Sequence, residues 1–134
     1  MTTPQSALII EAILAIPLVL IGISHILQKR MWLEFFEWLA AKDSIGVVIR
    51  TFLFELWPAT LVVVFHQEWT WPGVVITLYG HLLMLKVVLS LLVPSIGVKS
   101  LKQSQTRGDN TFIVAGIGLI ILGLFCGARA LLAN

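Results

Sequence analysis

Four long runs of apolar residues, separated by short polar segments, dominate the pattern along the chain. The runs cover about residues 7–27, 45–65, 74–93 and 111–132. Each holds about 20 residues, and at ~1.5 Å of rise per residue such a helix crosses a hydrocarbon layer of ~30 Å. The pattern therefore predicts an all-α protein in which four transmembrane helices form a bundle.

A shorter stretch with a different periodicity, residues 31–41, follows the first run. Its apolar side chains recur at the i, i+3, i+4, i+7 spacing of one helical face: Trp32, Phe35, Phe36 and Leu39. The stretch is too short to span a membrane, so the pattern predicts an amphipathic helix that lies along the membrane interface. Such a helix is either a plain connector or, in a functional role, a lid or a docking surface for a partner.

Residues at the ends of the runs indicate where the helices begin and end. Thr3 with Pro4 is the predicted start of the first helix. Asp109 or Asn110 is the predicted cap of the fourth. Pro94 ends the third run, and the basic segment after it is expected to be a polar linker. The loop between the second and third runs holds two residues suited to the aromatic belt at the membrane surface: Trp69 and Trp71.

The composition also indicates a membrane protein. The 134 residues are 58% hydrophobic and only 12% charged, whereas soluble domains carry about 25% charged residues. The net charge of +2 comes from basic residues at the ends of the runs, so it does not indicate a nucleic-acid partner. The first run has no basic region before it, and we expect it to be retained as a span of a single integral membrane domain.

Lysine and arginine are concentrated in two of the three linkers, those after the first and third runs. By the positive-inside rule, these linkers face the cytoplasm and both termini face outside, in what we expect to be the plasma membrane. Arg129 is the exception near the outer end, and we expect its side chain to extend outward to the interface. Glu11 is expected to reach the same interface.

Glu55, in the middle of the second run, is the sharpest chemical feature of the sequence. On the predicted topology it lies ~15 Å above the inner boundary of the membrane. The same count places Lys86 at ~10 Å, His81 at ~18 Å and Arg50 at ~8 Å. A carboxylate at this depth is costly unless it is paired. Pro58 follows Glu55 and predicts a kink, because proline cannot donate to the carbonyl one turn earlier.

Two interpretations of this polar group are open. In the structural one, Glu55 and Lys86 form a buried ion pair, with Arg50 and His81 as hydrogen-bond partners. In the functional one, Glu55 titrates in a proton or solute site and His81 relays the proton. His25, near the inner end of the first run, belongs to the same candidate set.

No cofactor or metal site is predicted. A haem held between helices needs two histidines at matching height, but His25 lies ~3 Å and His81 ~18 Å from the inner boundary, and His66 is at the opposite surface. The sequence has no HxxH, HExxH or CxxC motif, and no Walker loop, GxGxxG or GxSxG motif. Cys126 is the only cysteine, so an intramolecular disulfide is impossible.

Three glycines in the fourth run share one helical face at spacings of seven and four residues: Gly116, Gly123 and Gly127. Small residues at this spacing let another helix approach closely. The partner helix belongs either to the same chain or to a second copy in a homodimer.

Residues 22–29 (GISHILQK), the aromatic segment after them and a glutamate in the second run resemble the DoxX-like family of small four-helix membrane proteins. The positions that match the family's pattern are His25, Gln28, Lys29 and Glu55. Residues 56–58 (LWP) depart from the glycine-rich stretch that is usual after the glutamate, and Lys86 has no counterpart. Some members are small subunits associated with quinone-linked redox complexes, so the resemblance implies an accessory role.

The sequence leaves three function classes open. The leading one is a non-catalytic accessory or assembly subunit of a larger membrane complex, favoured by the glycine face, the aromatic helix and the lack of catalytic motifs. The second is a small oligomeric proton-coupled transporter or channel that uses Glu55 with His81 and Lys86. The third is a membrane-embedded enzyme acting on a lipid or a quinone. The expected partners are the lipid bilayer and either copies of the same chain or a larger complex.

Overall fold

The structure of the protein is a computed structural model that describes residues 5–108 and 110–133. The predicted helix start at Thr3 and Pro4 lies outside the described residues, as does the predicted cap Asp109. Asn110, the other candidate for that cap, is the first residue of the last helix.

Across the described residues the chain folds into six helices and no strand, which confirms the all-α prediction. The helices are α1 (Gln5–Leu27), α2 (Lys29–Ala41), α3 (Ser44–Phe65), α4 (Val74–Leu92), α5 (Pro94–Thr106) and α6 (Asn110–Leu132). Four of them, α1, α3, α4 and α6, are long and apolar enough to cross a membrane, and their ends lie within two residues of the predicted ends. The bundle presents many large apolar side chains on its exterior, as a protein solvated by lipid tails does.

Helices α1 and α6 form the most extensive contact in the bundle, and glycine makes it possible. A Cβ on Gly22 would lie 2.7 Å from the carbonyl oxygen of Gly116, and a Cβ on Gly116 equally close to that of Gly22. Gly123 faces Val19 and Ala15 of α1 in the same way. Helix α6 therefore uses its glycine face within the chain, against α1.

The two remaining spans pair with each other, and α3 also contacts α1. Gly80 of α4 lies so close to Val62 of α3 that an added Cβ would overlap its side chain. Between these helices and α1 and α6 lies an apolar core of buried side chains: Ile10, Leu14, Leu18, Val62, Ile76 and Cys126.

Helices α2 and α5 pack against each other at one end of the bundle, which we call the linker side. The opposite end, with residues 66–73 between α3 and α4, is the loop side. The aromatic face of α2 turns inward, because the ring of Trp32 lies 5.7 Å from Phe54 of α3 and that of Phe36 5.4 Å from Phe112 of α6.

Helix α5 was not predicted, since its residues were expected to form a polar linker. Pro94 stands at its start, where the missing N–H costs nothing. Leu101 then packs with Leu39 of α2 and Val47 of α3 in a second buried cluster. Gly97, four residues earlier on the same face, lets α5 approach the Val47 side chain. Few apolar residues recur along one face of α5, so the sequence pattern gives only a weak indication of this helix.

Helix α3 contains π-helical turns at Thr51–Leu56, which end two residues before Pro58. Proline lacks an N–H, and its ring would clash with the carbonyl one turn earlier, so the widened turns accommodate it. Two side chains bond to carbonyls in this region: the Trp57 indole donates to Leu53 at 2.9 Å, and the Thr60 hydroxyl to Leu56 at 2.7 Å. The widened turns hold Glu55, and turns of this kind are frequent at functional sites.

Candidate ligand-binding cavity

Glu55 and Lys86 are in direct contact. The Lys86 ammonium donates to Glu55 Oε1 at 2.5 Å and so joins α3 to α4 inside the bundle. The two side chains differ in environment, because that of Glu55 is 9% exposed and that of Lys86 is 47% exposed. The pair therefore has one buried partner and one partner at an edge.

Arg50 completes a group that we call the cavity cluster, defined as Arg50, Glu55 and Lys86. Its side chain is only 5% exposed, and its Nε lies 3.5 Å from Glu55 Oε1, too far for a good hydrogen bond. Within the part of the chain that the structure describes, Arg50 Nε and Nη2 and Glu55 Oε2 have no hydrogen-bond partner. Buried polar atoms are nearly always paired, so these atoms require an explanation.

A cavity of about 270 Å³ lies beside the cluster. This volume is close to the lower end of the range for small-molecule sites. Its walls come from every helix of the bundle and are mostly apolar or aromatic, and they include Leu14 and Leu18 of α1 as well as Trp32, Phe36 and Phe54. Three charged residues and two serines of α5 interrupt this lining: Arg50, Glu55, Lys86, Ser100 and Ser104.

His25 also lines the cavity, at the linker-side end of α1. Its ring stacks on Trp32 with 4.2 Å between centroids, and Trp32 is held in turn by donating to the Ser24 hydroxyl at 2.9 Å. His25 Nδ1 lies 2.8 Å from the carbonyl oxygen of Ile21. A carbonyl can only accept, so Nδ1 carries the proton and Nε2 is the acceptor of the neutral ring.

His81, the proposed proton relay, lies elsewhere. Its Nδ1 donates to the carbonyl of Thr77 at 2.8 Å, and its ring is 5.2 Å from that of Trp69 in the loop. Residues 81 and 86 are five apart, which turns their side chains about 140° away from each other around α4. Similar depth in the membrane is therefore not enough to place His81 beside Glu55. Trp69 and Trp71, the predicted belt residues, are exposed on the loop side.

A second charged group, which we call the loop-side cluster, consists of Glu11, His66, Glu68 and Arg129. Arg129 Nε donates to both carboxylate oxygens of Glu11, at 3.1 and 3.0 Å. Its Nη2 donates to Glu68 Oε2 at 2.6 Å. Glu11 is fully buried and Arg129 nearly so, which corrects the expectation that both side chains extend to the interface. Each finds a partner of opposite charge within the chain, so neither has to reach water.

Both ring nitrogens of His66 have a buried partner. Its Nδ1 lies 3.0 Å from the Thr77 hydroxyl, which itself donates to the carbonyl oxygen of Glu68 at 2.7 Å. Its Nε2 lies 2.7 Å from Glu11 Oε1. The loop-side cluster thus joins two carboxylates through one guanidinium and one imidazole.

The side chains of Glu11, His66 and Glu68 are also of the type that binds metal ions, and one ligand atom from each lies within 4.8 Å of the others. The Arg129 guanidinium already bonds to both carboxylates, so a metal ion would have to displace it. The arrangement acts instead as a clamp that ties the loop to α1 and α6.

The loop-side cluster was missed because its members were assigned to the membrane surface one at a time. The predicted topology places Glu11, His66 and Arg129 at the same end of three different spans. This shared depth is the sequence signal from which a single cluster could have been predicted. Glu68 could not be found in this way, because its position depends on the conformation of the loop.

The sequence and the fold were compared with known protein families, with curated proteins and with solved structures, and none of them matches.

Proposed function

We propose that this chain is a membrane-embedded binding protein for a small molecule, with the 270 Å³ cavity as its binding site. The observation that carries the proposal is the unsatisfied state of the cavity cluster. Arg50 and Glu55 are buried, they line a cavity, and each keeps hydrogen-bonding atoms without a partner among the described residues. A bound molecule with acceptor atoms would give the Arg50 nitrogens the hydrogen bonds that they lack.

A purely structural ion pair is the competing interpretation of Glu55 and Lys86. Polar residues that only hold membrane helices together pair with one another and leave few atoms unsatisfied. The loop-side cluster has this character, since Arg129 donates to both carboxylates. The cavity cluster differs from it because it lines a cavity and because two Arg50 nitrogens lack a hydrogen bond among the described residues.

The two faces that favoured an accessory subunit are engaged in packing within the chain. The glycine face packs on α1, and the aromatic face of α2 packs on α3 and α6. A transporter is supported by the cavity cluster, but within residues 5–108 and 110–133 the cavity does not continue to the loop side as a polar path. Leu14 and Leu18 separate Glu11 from His25 along α1, and Val62 separates Glu55 from His66 along α3. This conformation therefore supports binding, and transport would require a second conformation in which the cavity opens to the loop side.

The proposal is tested by native mass analysis of the protein released from lipid nanodiscs. Ser104→Phe fills the cavity from α5, while Ser95→Phe adds the same side chain on the exposed part of α5. We expect a small molecule of discrete mass on the wild type and on Ser95→Phe, and its loss from Ser104→Phe. The same bound species on both variants, or none on the wild type, would refute the proposal. Foreign subunits in the assembly would support the accessory role instead.

We also propose that the linker side faces the cytoplasm. Helices α2 and α5 contact each other, so the basic residues of both linkers lie at the same end of the bundle, where positive-inside orientation favours them. Thr70→Cys on the loop and Ser95→Cys on α5 are to be labelled with an impermeant maleimide in intact cells. We expect labelling of Thr70→Cys alone, and the reverse pattern would overturn the orientation. The buried Cys126 does not interfere.

A further inference from the structure

We propose that the cavity binds an amphipathic organic monoanion, a carboxylate head group on an apolar body, and that Arg50 is the residue that recognises the head group. This inference rests on the proposed function, because it names the chemical class of the molecule in the same cavity.

Charge is the first argument. The cavity cluster contains two cations and one carboxylate, and Lys86 is already joined to Glu55. Arg50 Nε faces the same Glu55 oxygen at 3.5 Å, so two cations share one carboxylate and one positive charge is in excess at a depth where uncompensated charge is costly. One negative charge on the ligand neutralises the site. A phosphate dianion would reverse the sign of the site, and a neutral or cationic molecule would leave its excess positive charge uncompensated.

The geometry of the guanidinium is the second argument. Nε and Nη2 are the two nitrogens along one edge of the group, and both lack a hydrogen-bond partner among the described residues. Their N–H bonds are parallel and match the two oxygens of a carboxylate, which gives a bidentate contact. Both nitrogens are covered in the cavity wall, so binding includes a small shift of the Arg50 side chain toward the ligand.

The lining of the cavity determines the rest of the molecule. Apart from the charged residues and the two serines of α5, the wall consists mostly of aliphatic and aromatic side chains, with Leu14, Leu18 and Phe54 among them. Such a wall favours an apolar body by burial of its surface. The 47% exposed Lys86 marks the side from which a negatively charged head group can approach.

A fatty acid from the bilayer and a water-soluble carboxylate share this chemistry, so the test uses one probe of each source. Purified wild-type protein in non-ionic detergent is heated with dodecanoate, with 3-phenylpropanoate, and with the neutral methyl ester of dodecanoate. Unfolding is followed with a thiol-reactive dye, because Cys126 is buried in the folded chain. We expect at least one carboxylate to raise Tm by several degrees in a saturable manner, and the ester to leave it unchanged.

Three variants assign the effect to Arg50. Arg50→Gln removes the charge, Arg50→Lys keeps the charge without the bidentate edge, and Lys99→Gln removes an exposed cation of α5 as the control. We expect the affinity for the active carboxylate to fall about tenfold or more in both Arg50 variants. We expect no change in Lys99→Gln.

The inference is overturned if the ester stabilises the protein as much as the carboxylate, if neither carboxylate stabilises it, or if both Arg50 variants keep wild-type affinity. Should Arg50→Gln not fold, Arg50→Lys and the wild-type probe series decide the question. A bound molecule seen in the nanodisc experiment together with failure of both carboxylates would refute the ligand class and leave the binding function standing.

Discussion

Arg129 and Glu11 join the two ends of the chain. They are 118 positions apart, and Arg129 Nε donates to both oxygens of the Glu11 carboxylate inside the bundle. The contact fastens α6 to α1 near the loop side, where the Glu68 carboxylate binds the same guanidinium. Two charges that would each be costly in a membrane helix are retained because each offsets the other.

Glu11→Gln is expected to destabilise the fold by ~3–5 kcal/mol, because it leaves Arg129 buried with one carboxylate fewer. Arg129→Met should have a similar cost. The double variant should lose much less than the sum of the two, since no unpaired charge remains. The measurement is the free energy of unfolding from SDS titration in mixed micelles.

Arg30→Gln is the matched control for this pair, since Arg30 donates to Glu34 at 3.2 Å in an exposed i,i+4 pair. Its loss should cost no more than ~0.5 kcal/mol. Additive losses in the Glu11 and Arg129 double variant would show that the two residues act independently.

Replacing glycine by alanine should have opposite effects on stability at two positions of α6, one at the contact with α1 and one away from it. A Cβ on Gly116 would lie 2.7 Å from the Gly22 carbonyl oxygen, so Gly116→Ala forces backbone apart and should cost ~1–3 kcal/mol. Gly118 has no atom within 4 Å of an added Cβ, and Gly118→Ala should stabilise α6 by up to ~1 kcal/mol. Thermal unfolding of both variants in the same detergent measures the difference, and equal effects would contradict the packing described.

The four spans could be predicted because apolar length alone determines whether a helix crosses a membrane. The contact between Glu55 and Lys86 was also within reach, since depth along two neighbouring antiparallel helices is a matter of counting residues. The rotation of each helix about its own axis could not be predicted from the sequence. That rotation is determined by packing, for example by Gly80 against Val62, and it turns His81 toward Trp69.

The π-helical turns and α5 mark a second limit of the sequence. A proline in a span indicates a disturbance of the helix but not its form, and here the chain widens its turns at Thr51–Leu56. Helix α5 has a polar composition, and it is stable because Leu101 fits between Leu39 and Val47. Such contacts join residues far apart in the sequence and leave no local pattern.

The Thr77 hydroxyl is the centre of the hydrogen bonds that hold the loop. It donates to the partly buried Glu68 carbonyl and bonds to the buried His66 ring, so Thr77→Val removes both contacts and should cost ~1–3 kcal/mol. Thr60→Val removes an exposed hydroxyl that bonds within its own helix, and should change stability by less than ~0.5 kcal/mol. Proteolysis in the loop should become faster in Thr77→Val alone, and equal rates in the two variants would show that the hydroxyl does not hold the loop.

The cavity cluster predicts unequal effects for the two partners of one ion pair. Glu55→Gln leaves Arg50 and Lys86 as two cations without a carboxylate, with Arg50 fully inside the bundle, so we expect a loss of ~3–5 kcal/mol. Lys86→Met leaves Glu55 beside Arg50 and removes a half-exposed ammonium, so its cost should be clearly smaller.

The double variant Arg50→Met with Glu55→Gln distinguishes this account from simple loss of contacts. It removes the buried cation together with the carboxylate, and should therefore be more stable than Glu55→Gln alone. SDS titration of the three variants measures the order. If Lys86→Met costs as much as Glu55→Gln, or the double variant is the least stable, then the buried charge of Arg50 does not control the energetics of the cavity.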